Sequence, residues 1–153
     1  MIELVEPSAD QRALFDGLAQ FYAYDFSEMT DNPINPDGRY GSHQWVAETW
    51  AAQDRFIRLI MYGDEAAGFA IVQLVSEGHF DMEQFFVMRK FRRSGVGRVA
   101  ARMLFLEFSG HWTAEQITNN VSAQLFWREV INEFTAGAYE DTMGEDPMQS
   151  FVT

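Results

Sequence analysis

The first apolar run, "IELVE", reads as a short strand. Pro7 ends it, because proline brings no N–H to a ladder. "SADQ" then signals a helix start, with Ser8 at the N-cap and Gln11 three residues on. Leu14, Leu18, Phe21 and Tyr22 recur at helical spacing. They predict an amphipathic helix over residues 9–26 whose aromatics, Phe21 and Phe26 included, turn inward. "TDNPINPDG" is loop, and "HQWVAETWAAQ" (43–53) predicts a short helix. "RFIRLIMY" and "AAGFAIVQLV" flank the turn "GDE" as a hairpin, and "FDMEQFFVM" follows "SEGH" as a third strand. These strands form an antiparallel meander.

Beyond residue 88 the pattern changes. A cationic, glycine-bearing loop leads into a helix over 96–109, with Val96, Val99, Ala100, Met103 and Leu106 predicted on its inner face. Gly110 ends that helix, and "HWTAEQI" is a further strand. Strand, helix, strand is a βαβ unit and implies one parallel pair. A second helix is expected over 120–134, then a closing hairpin from "AYEDTM" and "MQSFVT". The chain has no repeat, linker or low-complexity tract. Its 153 residues read as a single domain, 1–153, of α/β (α+β) class.

Composition narrows the function. The chain is 47% hydrophobic with 14 Phe, which fits a packed globule. No apolar run is long enough to cross a membrane, and "MIELVEPSAD" has no leader character. There is no cysteine, hence no disulfide and no thiol nucleophile, and a cytoplasmic location is expected. A net charge of −12 disfavours nucleic acid and anionic membrane as partners. It serves solubility and suits a cationic partner. His43, His79 and His111 lack metal-ligand spacing, so no metal is expected.

One window departs from that charge. Arg89, Lys90, Arg92, Arg93, Arg98 and Arg102 lie within residues 89–102, which contain no acid. The five cations elsewhere face 23 acids. Gly95 and Gly97 stand where a helix begins. Unpaired amides, the positive end of the helix dipole and close backbone approach together describe a phosphate site. "GVGRVA" also fits a dinucleotide fingerprint, with Glu115 placed for a ribose. Against that stand the cationic stretch between strand and glycines, the antiparallel meander before the motif, and the short chain left after it. Without G-K-[ST] the loop is not a P-loop.

"FFVMRKFRRSGVGRVAARML" resembles the acetyl-CoA signature of the GNAT superfamily of N-acyltransferases. Val87 ends the strand, and Arg92, Gly95 and Gly97 fill R/Q-x-x-G-x-G/A. "NNVSAQLFW" resembles the family's second motif through Asn120 and Ala123. The order of elements matches over nearly the whole chain. The resemblance implies a mixed, mostly antiparallel sheet with a βαβ acetyl-CoA-binding unit and flanking helices. It implies acetyl-CoA as cosubstrate, its pyrophosphate on the amides of Arg93, Ser94, Gly95, Val96, Gly97 and Arg98, with Arg92 beside them. The pantetheine arm is expected along the main chain of Phe85, Phe86 and Val87, with Asn120 and Trp127 on the second helix. Arg89 and Lys90 are candidates for the 3′-phosphate.

An amine attacks only when neutral, so a base is needed. Period-2 alternation predicts one shared face for Asp81, Glu83, Phe85 and Val87. The resemblance implies a carboxylate base on this strand, with Glu83 the first candidate and Asp81 the second. It also implies a Tyr that protonates the leaving thiolate, but Trp127 stands at that position. Indole donates a hydrogen bond and is not a useful acid. Tyr139 and water are alternatives, and Trp127 also suits the core. Direct acetylation of a primary amine is expected, on a small molecule or a peptide. The clustering of Asp25, Glu28, Asp31 and Asp37 with Tyr22, Tyr24 and Tyr40 predicts that the acceptor is cationic. A non-catalytic acyl-CoA-binding module is the alternative, and a homodimer is a possible assembly.

Overall fold

A computed structural model describes residues 1–41 and 43–153. Strand β1 (Ile2–Val5) leads through a 3₁₀ turn (Ala9–Gln11) into α1 (Arg12–Thr30). The Ser8 amide donates to the Gln11 side chain at 3.0 Å, the return half of the predicted capping box. There follow α2 (His43–Ala51), β2 (Arg55–Tyr62), β3 (Glu65–Ser76) and β4 (His79–Val87). Then come α3 (Val96–Glu107), β5 (His111–Glu115), α4 (Val121–Thr135), β6 (Tyr139–Thr142) and β7 (Met148–Val152). The seven strands form one sheet in the order β1-β2-β3-β4-β5-β7-β6. Among the described residues only β4 and β5 run parallel. The expected mixed, mostly antiparallel fold is present, and the doubly wound sheet of a dinucleotide-binding domain is not.

The two faces of the sheet pack differently. One carries Ile57, Leu59, Phe69, Ile71 and Phe86 against Phe15, Leu18 and Ala19 of α1 and Val46 of α2. The other carries Ala70, Val72, Met82, Trp112, Ala114 and Phe151 against Ala101, Leu104 and Phe105 of α3 and Trp127, Val130 and Ile131 of α4. Burying a large apolar side chain contributes about 1.5–3 kcal/mol, so these two layers fix which helix lies on which face.

Two inward faces differ from expectation. On α3 the buried stripe is Val96, Ala100, Ala101, Leu104 and Phe105, while Val99 and Leu106 are exposed. "VGRVAARMLFLEF" is apolar nearly all round, so periodicity alone gave the wrong phase. On α1 the inward residues are Phe15, Leu18 and Ala19, and Phe21 is 56% exposed.

Candidate active site

The sheet opens beside β4. Parallel pairing with β5 covers only His79↔His111, Phe80↔Trp112 and Asp81↔Thr113. From Met82 onward β4 has no strand partner on that side among the described residues, whereas β3 stays paired with it to Val87. Gly68 makes the close β3 approach: a Cβ there would lie 1.9 Å from the Phe86 carbonyl oxygen. One edge of β4 is thus held tightly and the other is free.

A β-bulge marks the same place. Ile71 faces Gln84 and Val72 faces Met82, so Glu83 is the extra residue. The bulge breaks the alternation expected for β4 and corrects the shared face. Phe85 and Val87 point toward α3 and α4. The Phe85 ring lies 5.8 Å from Phe126 and 5.0 Å from Trp127. Asp81, Glu83 and Gln84 point to the α1 face instead. Arg55, on the strand positions that continue to Ile57, donates from Nε to both Glu83 oxygens at 3.0 and 2.9 Å. Tyr22 of α1 donates to Gln84, and burial pushes its hydroxyl up to about 12, so it stays a donor. The carboxylates therefore sit across the strand from the apolar Phe85–Val87 edge.

The two acids differ. Glu83 is tied to Arg55, which also meets Asp54 at 3.3 Å. Asp81 has no cation salt bridge among the described residues. It accepts from the Thr113 hydroxyl at 2.7 Å. Burial pushes its carboxyl above the ordinary range, against the opposing pull of the Thr113 hydrogen bond and the His79 charge. Of the two, Asp81 is the freer, held by a hydroxyl rather than by a guanidinium.

After β4, a 3₁₀ turn (Arg89–Phe91) and a tight loop lead to α3. Arg93 and Gly95 adopt left-handed backbone, with φ of 58° and 88°. This places Gly95 at the N-cap, a conformation suited to glycine. Val99 is the first α3 amide bonded to a helix-side carbonyl, that of Gly95 at 3.0 Å. The amides of Val96, Gly97 and Arg98 ahead of it form the positive end of the helix. Ser94 turns its hydroxyl back to the Phe91 carbonyl at 2.6 Å. A Cβ on Gly97 would meet the Phe126 ring at 3.4 Å and Val87 at 3.5 Å. That glycine admits α4 to the loop's inner side rather than clearing its outer surface.

The cationic window is largely neutralised in three dimensions, which corrects the expectation of a free sixfold charge. Arg89 and Arg92 grip Asp25 of α1 at 2.8 and 2.5 Å, and Arg92 Nε also reaches the Val87 carbonyl at 2.7 Å. Burial alone would raise the Asp25 carboxyl, but hydrogen bonds and charge from Arg92 and Arg89 hold it below the ordinary range. Lys90 pairs with Glu65, and Arg98 bridges Glu129 and Glu133 of α4. Arg93 is exposed and makes no ion pair among the described residues. Sequence reasoning did not pair these acids with the cationic window. The only available signal was the i, i+4 spacing of Glu129 and Glu133.

The remaining predicted residues are placed as follows. Asn120 caps α4, its side-chain oxygen accepting from Ala123 at 3.1 Å. Trp127 is 6% exposed, packed edge-on to Phe85 and Phe126. Tyr139 lies on β6, separated from β4 by β5 and β7, and packs into the α3/α4 core, so it is not adjacent to the opening. Of the acceptor cluster, Asp25 is engaged by arginines, while Tyr24 and Tyr40 have ring centroids 6.1 Å apart. A cleft of about 230 Å³ lies between α1 and the end of β4, lined by Phe21, Tyr24, Asp25, Phe86, Met88, Arg89 and Arg92. Among the described residues, no group of three or more His, Asp or Glu side chains is placed to hold a metal. No helix there is long and apolar enough to cross a membrane.

The sheet thus parts beside a bulged strand, and that strand leads into a glycine loop that opens a helix. The family model of the acetyltransferase (GNAT) family matches residues 19–130, and the chain belongs to that family. Solved structures agree in fold. An acetyltransferase from Thermus thermophilus has a TM-score of 0.72 at 13% identity, covering 100% of this chain and 97% of that one. The ribosomal-protein-S18-alanine N-acetyltransferase from Escherichia coli gives 0.66 at 13% identity, covering 99% and 94%. The PaiA N-acetyltransferase from Thermoplasma acidophilum, in complex with coenzyme A, gives 0.62 at 10% identity, covering 100% and 99%. No curated protein matches the chain.

Proposed function

We propose that this acetyltransferase moves an acetyl group from acetyl-CoA to a primary amine by direct attack. The observation that carries the reading is the union of the free β4 edge with the glycine loop at the start of α3. The loop amides from Arg93 to Arg98 and the Arg93 guanidinium receive the pyrophosphate. The pantetheine arm follows β4 from Phe85 through Phe86 to Val87 and extends the sheet as a short strand does. Asn120 and Trp127 face this arm from α4. The acetyl carbon then lies where β4 and β5 part, with Asp81 and Glu83 on the opposite face to take the amine's proton. With no cysteine in the chain, no thiol nucleophile intervenes. The cytoplasm is the location proposed with this reading, and a homodimer is a possible assembly.

The acceptor is proposed to be cationic, on a small molecule or a peptide. Support comes from the net charge of −12 and from the engagement of most of the cationic window by acids. Such a field concentrates a cation near the sheet. A molecule with two amines docks one ammonium while the other loses its proton. Turnover of acetyl-CoA across an amine panel tests this. Diamines are expected to outrun monoamines of similar size, with the preference shrinking as salt rises. A neutral or acidic best acceptor, indifferent to salt, would sink the cationic assignment. The second reading, a non-catalytic acyl-CoA-binding module, is favoured by Trp127, which supplies no acidic proton beside the arm. Binding of acetyl-CoA without turnover on any amine would select it.

A further inference from the structure

One transverse row of the sheet is polar across six strands. Arg55, Gln73, Asp81, Thr113, Ser150 and Glu140 stand side by side on β2, β3, β4, β5, β7 and β6. No residue of β5, β6 or β7 joins the apolar layer that α1 and α2 build on this face. Within the row, Thr113 Oγ1 donates to Asp81 at 2.7 Å and lies 3.3 Å from His79 Nε2. The His79 and His111 rings are 4.5 Å apart, and His111 Nε2 is 2.7 Å from the Ser150 hydroxyl. Asp81↔Thr113 is also the last β4–β5 pair before the strands part.

We propose that Asp81, Thr113 and His79 form a relay that carries the attacking amine's proton from the opening of the sheet to solvent. The inference rests on the aminolysis reading above. An ammonium and acetyl-CoA give an amide, CoA thiol and one net proton. The C–N bond forms as the C–S bond breaks, and the sulfur keeps the electron pair and takes one proton. The other proton goes first to the Asp81 carboxylate. Once Asp81 is protonated, the Thr113 hydroxyl turns its one proton from Asp81 to Nε2 of neutral His79 in its Nδ1–H tautomer, and Oγ1 takes the Asp81 proton as it gives up its own. Half-buried His79 releases it to water. The charged groups next along the row are Arg55 and its partners Glu83 and Asp54, one cation between two carboxylates, so no net positive charge from them holds the proton on this side. Asp81 is the base here, and Thr113 and His79 act through it.

Steady-state kinetics with acetyl-CoA and the best amine test the relay. Thr113→Val and His79→Gln are each expected to lower kcat on the order of tenfold with both KM values unchanged. Thr113→Ser, which keeps the hydroxyl, should return kcat to near the wild-type value. Added imidazole buffer should partly rescue His79→Gln, an effect a structural role would not produce. If Thr113→Val does not fold, His79→Gln and its rescue decide alone. Wild-type kcat in both variants, or loss without rescue by imidazole or serine, overturns the relay and leaves the transfer reading intact. No transfer by the wild-type protein to any primary amine removes the transfer reading, and the relay with it.

Discussion

At the scale of single residues, Asp25 and Asp81 have opposite linkages between charge and stability. Asp25 is lowered from 3.8, so its ion pairs stabilise the fold above that value and the benefit is lost as pH falls through the folded-state value. Asp81 is raised from 3.8, so its ionised form costs stability at neutral pH, and the cost disappears as pH falls to about 4. Asp25→Asn should therefore lower stability at pH 7 by about 1 kcal/mol, limited by the exposure of Arg89. Asp81→Asn should raise it, because the amide still accepts from Thr113 without a charge to desolvate. Urea melts at pH 7 and pH 3.5 check both, and each variant's difference from wild type should shrink at the lower pH. A destabilised Asp81→Asn at pH 7 would show that its carboxylate is structural. Sequence pointed to both acids as functional candidates. It had no access to the arginines that occupy Asp25, since Arg89 and Arg92 are more than sixty positions away along the chain.

At the scale of elements, the glycine loop was legible because its signals are local: strand end, left-handed glycine and helix start lie within ten residues, 87 to 96. Its electrostatics were not, because the neutralising acids come from α1, β3 and α4. The bulge at Glu83 was equally hidden. It depends on how β4 registers with β3, and a one-residue insertion exchanges faces without changing the sequence pattern. Arg98, bridging Glu129 and Glu133, ties α4 to the start of α3. If phosphate binds at that helix start, it competes with these glutamates. The double variant Glu129→Gln/Glu133→Gln is expected to bind acetyl-CoA severalfold more tightly, with a steeper loss of affinity as salt rises. Calorimetric titration at two salt concentrations measures this, and unchanged affinity at both would place the phosphates away from Arg98.

At the scale of the whole molecule, the order of elements was readable from periodicity and turn residues, but the order of strands was not. β7 pairs with β5 and leaves β6 at the edge, a choice set by Trp112, Phe151 and Phe105 packing together rather than by the closing hairpin itself. That arrangement extends the polar row from Arg55 to Glu140 on one face of the sheet, while the α3/α4 face is apolar and filled. Direct transfer requires a passage between these two sides at the β4–β5 opening. The most direct measurement is mass spectrometry after mixing the protein with isotope-labelled acetyl-CoA and a diamine. The label is expected on one nitrogen of the amine, with free CoA released in equal amount and none retained on the protein. Label held on the protein, or left on CoA while the cofactor is bound, would contradict direct transfer.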